Sequence, residues 1–222
     1  MHMRLVSAFS SLFDSMLDAI VPPRARSART KSRTIADVPL CPTEHELLSV
    51  TITTLMDYRE AAVQDLIRSL KYDGSGHAAA LAASVLAEYL QEEIASLKLF
   101  STRKVLIVPI PLHKSRARER GFNQIEIVAR ALPQAFRDGT VATLAPHALL
   151  RRVATKQQTR LSRSERIKNV VGAFEVPDLA LVKNAHIFLV DDVATTGATL
   201  LHAGKPLEKT GAEVSLIALA RA

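Results

Sequence analysis

The sequence predicts an α/β protein: a mostly parallel, twisted sheet with helices on both faces. Three observations carry that expectation. Apolar runs recur at residues 104–111, 186–192 and 213–220, and near-continuous apolar strands are the kind buried on both faces. Between them lie stretches with apolar residues at helical spacing, so strands and helices alternate along the chain. The composition is ordinary for such a fold, with 222 residues, 48% hydrophobic, 23% charged, 8 Gly and 10 Pro. That length suits one mid-sized domain with a small appendage.

Residues 8–20 read as a short amphipathic helix, because Leu12, Phe13, Met16, Leu17 and Ile20 recur at spacings of three and four. Pro22-Pro23 stops it. Residues 24–37 carry many positive charges without apolar periodicity and read as a flexible linker. The expected division is therefore 1–39, an N-terminal helix and basic linker, and 40–222, the folded domain. Residues 48–55 are rich in β-branched side chains and predict a strand. A helix follows at 58–71, with Val63, Leu66, Ile67 and Leu70 on one face, then a turn at Asp73-Gly74-Ser75-Gly76. That glycine pair follows a helix and not a strand, so it is no dinucleotide loop. An Ala/Leu-rich helix spans 77–97, a buried strand 104–111, a helix 119–135 and a weak strand 141–150. After a charged, Gln-rich stretch at 151–169 come a strand at 186–192, a helix at 198–209 and a last strand at 213–220.

Composition also excludes. The lone Cys41 rules out a disulfide framework within the chain and a Cys-rich zinc site. Trp is absent and aromatics are 5%, which argues against a nucleic-acid surface built on many stacked rings. No run approaches the roughly 20 apolar residues of a membrane span. Asp14 and Asp18 interrupt the N-terminal apolar stretch and argue against a secretory signal, so a cytoplasmic location is expected. The net charge of +7 and pI near 9.8 suggest a polyanionic partner. That charge is concentrated: residues 103–168 hold 15 Lys+Arg against 4 Asp+Glu, and the rest 14 against 18.

The strongest chemical signal is Ile187-Phe188-Leu189-Val190-Asp191-Asp192-Val193-Ala194-Thr195-Thr196-Gly197-Ala198-Thr199. A buried strand runs into two carboxylates, then a Thr/Gly turn, then a helix. The first amides and the positive dipole end of that helix suit a phosphate. Gly197 has no Cβ, so the backbone can approach an oxyanion, and the threonines add hydroxyls. Asp191 and Asp192 fall at the carboxyl end of the strand, where open α/β sheets bind ligands. Adjacent carboxylates need donors, and sugar hydroxyls or a hydrated Mg²⁺ supply them. The segment fits a ribose 5-phosphate, with phosphate in the turn and hydroxyls on the acids.

A second segment, Val108-Pro109-Ile110-Pro111-Leu112-His113-Lys114-Ser115-Arg116-Ala117-Arg118-Glu119-Arg120-Gly121-Phe122-Asn123-Gln124, ends a buried strand and releases four cations in seven residues. Such a loop can hold pyrophosphate, Arg as a fork and Lys as a point charge. A third, from Arg151 to Asn169, carries seven basic residues and one acid and reads as a lid over a polyphosphate. Phe122 and Tyr72 are candidate stacking residues, with core packing as the bland alternative. His113 can touch a phosphate or merely be exposed, while His147, His186 and His202 read as isolated structural residues.

The segment 187–199 resembles the 5-phosphoribosyl 1-pyrophosphate (PRPP) signature of type I phosphoribosyltransferases. All three segments, in this order, resemble the ComF family of competence-associated phosphoribosyltransferase-like proteins. Val108-Pro109-Ile110-Pro111-Leu112-His113 and Arg118-Glu119-Arg120-Gly121-Phe122-Asn123-Gln124 look like its pyrophosphate-loop region. Thr155, Gln158, Leu161-Ser162-Arg163, Glu165-Arg166, Asn169-Val170 and Gly172-Ala173-Phe174 look like its lid. Tyr58-Arg59, Leu70-Lys71-Tyr72 and the early Pro22-Pro23 also match. The family usually carries a four-Cys zinc module after that Pro-Pro; here Arg24-Ala25-Arg26 follow and only Cys41 remains, so no zinc is expected.

The resemblance implies a type I phosphoribosyltransferase-like fold with a mobile lid, and a PRPP site dependent on Mg²⁺. Asp191 and Asp192 would bind the ribose hydroxyls, directly or through Mg²⁺. Ala194, Thr195, Thr196, Gly197, Ala198 and Thr199 would hold the 5-phosphate. Pro109, Ile110, Pro111, Lys114 and Arg116 would hold pyrophosphate, and Arg151 through Arg166 would form the lid. The acceptor is not readable; residues 40–57 are the candidate hood over it. Three readings stay open: a phosphoribosyltransferase, a competence factor that binds PRPP and single-stranded DNA without turnover, and a PRPP-sensing regulator. The apolar face of residues 8–20 is the candidate surface for a homodimer.

Overall fold

The computed structural model describes residues 28–113, 117–118, 120–152 and 172–222. The expected helix at 8–20, the Pro22-Pro23 stop and residues 24–27 of the linker lie outside them. So do Lys114, Arg116, Arg166 and nearly all of the expected lid.

Among the described residues eight strands form: β1 (Thr43–Leu47), β2 (Val50–Asp57), β3 (Val105–Pro109), β4 (Thr143–Leu144), β5 (Leu150–Arg151), β6 (Phe174–Glu175), β7 (His186–Ala194) and β8 (Glu213–Arg221). Six make one sheet in the order β1-β2-β8-β7-β3-β4. β2, β8, β7, β3 and β4 run parallel, and β1 joins the edge antiparallel. β5 and β6 make a separate antiparallel ribbon. Among the described residues, the helices α1 (Ala61–Arg68), α2 (Gly76–Phe100), α3 (Gln124–Arg130), α4 (Leu179–Val182) and α5 (Ala198–Glu208) pack around the sheet.

Two apolar cores lie against the sheet. One gathers Val63, Leu66 and Ile67 of α1, Leu86 and Leu90 of α2, and Ile125 and Val128 of α3 over Ile107, Phe188, Val190 and Leu219. The other gathers Leu200, Ala203 and Leu207 of α5 and Val182 of α4 over Leu106, Val108, Ile187, Leu189 and Leu216. Alternate residues of β3 and β7 therefore enter opposite cores, which is why those strands read as unbroken apolar runs. The expected α/β fold with helices on both faces is what forms.

Several expectations need correction. The strand expected at 48–55 is the second arm of a hairpin; β1 precedes it, and the connecting Leu48 and Ser49 have φ of 53° and 64°. The helix expected over 119–135 is shorter. Residues 117, 118 and 120 form one helical turn, and α3 begins only at Gln124, where Asn123 Oδ1 caps it by accepting the Ile125 N–H (3.3 Å). The weak strand at 141–150 resolves into two short pieces in different sheets. The flexible-linker reading fails for residues 28–37. Residues 28–31 are helical, Thr30 is fully buried, and its hydroxyl donates to the Asp65 carbonyl (3.2 Å) and pairs with Ser69 Oγ (2.7 Å). Val38 just beyond is a core residue.

Candidate functional site

β3 and β7 are neighbours, with Pro109 opposite Val190. Their carboxyl ends therefore open side by side, and the Ile110 N–H donates to the Val190 carbonyl (2.8 Å). A small cleft of about 90 Å³, open to solvent, lies at this edge. Its lining includes Ile110 and Leu112 after β3, Asn123 and Gln124 opening α3, Arg151 of β5, and the whole run from Asp191 to Leu200.

The two acids are held differently. Asp192 is braced: its Oδ1 accepts the Val193 N–H (2.8 Å) and its Oδ2 accepts from Gln124 Nε2 (2.8 Å). Asp191 accepts the Asp192 N–H at Oδ1 (2.9 Å). Protein hems in the Asp191 carboxyl, although the residue keeps some surface in the cleft. Desolvation first, and then the Asp192 charge, push its pKa well above the usual carboxylate range; Arg151 opposes the shift. An acid pair strained in this way gains from any donor or cation that arrives between its oxygens.

The turn that follows is built for close approach. Ala194 is buried at the end of β7, Thr195 is exposed and Thr196 half-buried. Gly197 has φ of 76°, and a Cβ there would meet Ile52 Cδ1 at 2.7 Å and Leu47 Cβ at 3.0 Å. Only glycine meets both conditions, left-handed backbone and no room for a side chain. Ala198 and Thr199 then open α5, whose first N–H groups have no intrahelical acceptors by helix geometry. The β1–β2 hairpin, through Leu47 and Ile52, thus buttresses the turn, within the 40–57 stretch expected to act as a hood.

Of the residues expected to form the site, Asp191, Asp192, Ala194, Thr195, Thr196, Gly197, Ala198, Thr199, Ile110 and Arg151 line one cleft. Pro109 ends β3 directly behind Ile110, and Pro111 follows it half-buried. Arg151 departs from the lid reading: it is a buried strand residue with its guanidinium 5.3 Å from the Phe174 ring centroid. His186 is not isolated. Its Nδ1 lies 3.3 Å from Glu213 Oε2 and its Nε2 3.0 Å from Ser215 Oγ, at the opposite end of β7. Phe122 packs its ring on the backbone at Gly74, while Tyr72 is 41% exposed beside Lys71 Nζ, 5.1 Å from its centroid, and so is no core residue.

The resemblance put Asn123 and Gln124 in the pyrophosphate-loop region without assigning either a contact. Asn123 Nδ2 donates to the Ile110 carbonyl (3.0 Å), tying α3 to the loop after β3. Gln124 joins Asp192 to Arg120, whose Nη1 donates to Gln124 Oε1 (3.1 Å). The signal was present as an amide pair after Gly121-Phe122, but nothing in the spacing says what it touches.

A parallel sheet whose carboxyl edge carries an acid pair, a glycine turn and a helix N-terminus fits the phosphoribosyltransferase-like fold, and residues 120–222 match the phosphoribosyl transferase domain family. The relatives narrow the class. The chain is 30% identical to competence protein ComFC of Streptococcus pneumoniae over 168 residues, covering 76% of this chain and 66% of that protein. It is 36% identical to competence protein F of Haemophilus influenzae over 122 residues, 52% of this chain and 50% of that one. It is 31% identical to the DNA utilization protein YhgH of Escherichia coli over 164 residues, 72% of this chain and 67% of that one. The chain belongs to the ComF family of competence-associated, phosphoribosyltransferase-like proteins, and spans about half to two thirds of these relatives' length.

Proposed function

We propose that the cleft binds PRPP together with Mg²⁺, in a protein that serves competence or DNA utilization as its relatives' names describe. The observation that carries this reading is the convergence, at one sheet edge, of the Asp191–Asp192 pair with the Gly197 turn. In this reading the acids accept hydrogen bonds from the ribose 2′- and 3′-hydroxyls. The turn from Ala194 to Thr199 takes the 5-phosphate on backbone N–H groups and threonine hydroxyls. The pyrophosphate extends past Ile110 toward the loop that carries Lys114 and Arg116, with Arg166 of the basic 151–169 stretch as a further counter-charge.

The acid pair also fits a divalent cation. Two adjacent carboxylates, one of them pushed toward protonation by burial and then by its neighbour, are the oxygen donors that hydrated Mg²⁺ takes beside substrate phosphates. Bound there, Mg²⁺ would offset the negative charge of a departing pyrophosphate. The chain's own part is to orient the ribose and to hold pyrophosphate away from C1. Loss of that leaving group is a charge-stabilisation problem that needs no protein nucleophile.

Titration calorimetry with PRPP, ribose 5-phosphate and pyrophosphate, each with and without Mg²⁺, tests the reading. Saturable PRPP binding that requires Mg²⁺ and is lost in Asp191→Ala/Asp192→Ala is expected; heat of dilution alone would remove the proposal. Pyrophosphate release across a panel of acceptor bases then separates turnover from binding. A second reading, single-stranded DNA binding, has its own support in the cationic 103–168 stretch and the exposed Tyr72 beside Lys71. It requires affinity that falls steeply with salt, with a log–log slope of about −0.7 per phosphate contacted.

A further inference from the structure

We propose that Gln124 is a positioning residue that couples Arg120 to Asp192, so that Arg120 strengthens ribose binding without touching the ribose. The inference rests on the PRPP reading of the cleft and names the coupling inside it.

Arginine can only donate and an ionised aspartate can only accept. A direct pair between them would satisfy the acid and leave it less able to accept from a ligand. An amide between them does something else. Gln124 takes the Arg120 Nη1–H on its oxygen (3.1 Å) and gives its own N–H to Asp192 Oδ2 (2.8 Å). The guanidinium then polarises the amide, and the amide holds the carboxylate in one rotamer with Oδ1 kept by the Val193 N–H. Gln124 is only 6% exposed and sits in the first turn of α3, whose start is fixed by the Asn123 cap and by the Asn123–Ile110 bond. The α3 end of the bridge is therefore fixed by the Asn123 cap, and the Asp192 end by the Val193 N–H. Arg120, by contrast, is half-buried and belongs to the helical turn that follows the loop after β3. A change at that loop reaches the ribose acids through one side chain.

The test is ribose 5-phosphate affinity in the presence of Mg²⁺, read by calorimetry on the full chain. Arg120→Ala is expected to weaken it about tenfold, the loss typical of one charge-assisted hydrogen bond. Arg130→Ala removes the same charge from the exposed end of α3 and is expected to change it less than about twofold at 0.15 M salt. Gln124→Met, similar in length but with neither donor nor acceptor of amide strength, is expected to weaken it by the same order. In that background Arg120→Ala should add nothing, because the path is already cut. Equal effects of Arg130→Ala and Arg120→Ala would overturn the coupling, as would multiplicative losses in the double variant. The first of these comparisons does not need Gln124→Met to fold. If the unaltered protein binds neither PRPP nor ribose 5-phosphate, the site reading falls and the coupling with it. If it binds both and the variants act independently, only the coupling falls.

Discussion

Replacing Gly197 by Ala should both destabilise the fold and damage the phosphate turn, and the size of the effect follows from the geometry. At φ of 76° the new side chain sits in left-handed backbone, which costs about 1–2 kcal/mol. Its Cβ would lie 2.7 Å from Ile52 Cδ1 and 3.0 Å from Leu47 Cβ, an overpacking cost of about 1–3 kcal/mol. Reduced freedom of the unfolded chain returns about 0.4–1 kcal/mol. The net is about 3 kcal/mol, or a fall in Tm of about 6–12 °C for a domain of this size. Two other glycines separate the contributions. Gly121 has φ of 78° but nothing within 4 Å of a Cβ, so Gly121→Ala carries strain alone, about 1 kcal/mol and about 2–4 °C. Gly76, at the start of α2, has open space and ordinary backbone, so Gly76→Ala should be neutral or raise Tm by a degree or two. Thermal melts of the three variants, followed by circular dichroism, decide the matter. A Gly197→Ala protein no less stable than Gly121→Ala would refute the claim that the hairpin packs against the phosphate turn.

Three further outcomes follow from particular contacts. Because burial and Asp192 raise the Asp191 pKa in the folded state, the ligand-free protein binds that proton more tightly than the unfolded chain does. The associated stability is full below about pH 4, the unfolded value, and is lost as pH rises through the raised folded value. Melts from pH 5 to 8 should show Tm falling with pH in the unaltered protein and a flatter profile in Asp191→Asn. The Arg59 guanidinium, with its own N–H, holds the Asp57 carboxyl down to about 2, so this contribution is present above about pH 4 and lost as pH falls through 2. An NMR titration of Arg59→Ala should move the Asp57 midpoint part of the way back toward 3.8, since the backbone N–H of residue 59 still donates (2.8 Å); an unmoved midpoint contradicts the assignment. Thr30→Val removes a buried hydroxyl from Asp65 and Ser69 and should cost about 1–3 kcal/mol. Calorimetry showing no change would return residues 28–37 to the linker reading.

What was legible in the chain was what local chemistry enforces. β3, β7 and β8 are apolar because they are covered on both faces, and the acids and glycine turn at the end of β7 are spaced by the strand-to-helix connection itself. The β1–β2 hairpin was half missed for a physical reason. Its two-residue turn uses Leu48 and Ser49 at positive φ, where Asn-Gly or Asp-Gly would have announced it. β1 is also an exposed edge strand carrying Glu44, His45 and Glu46, with no apolar alternation to read. The α3 boundary was misplaced because apolar spacing continues through a segment that Gly121 and the Asn123 cap divide. The Arg120–Gln124–Asp192 chain joins residues 68 positions apart at its longer step. Only the adjacency of β3 and β7 brings them together, and sequence spacing does not encode it.

The most direct measurement is a thermal melt with PRPP, with and without Mg²⁺, on the unaltered protein and on Asp191→Ala/Asp192→Ala. Ligand at 100 times its Kd stabilises by about 2.7 kcal/mol, a rise of about 5–11 °C for a chain of 222 residues. A rise of that size that needs Mg²⁺ and disappears in the double variant is the predicted result. An unchanged Tm in every condition would contradict PRPP binding at the Asp191–Asp192 edge.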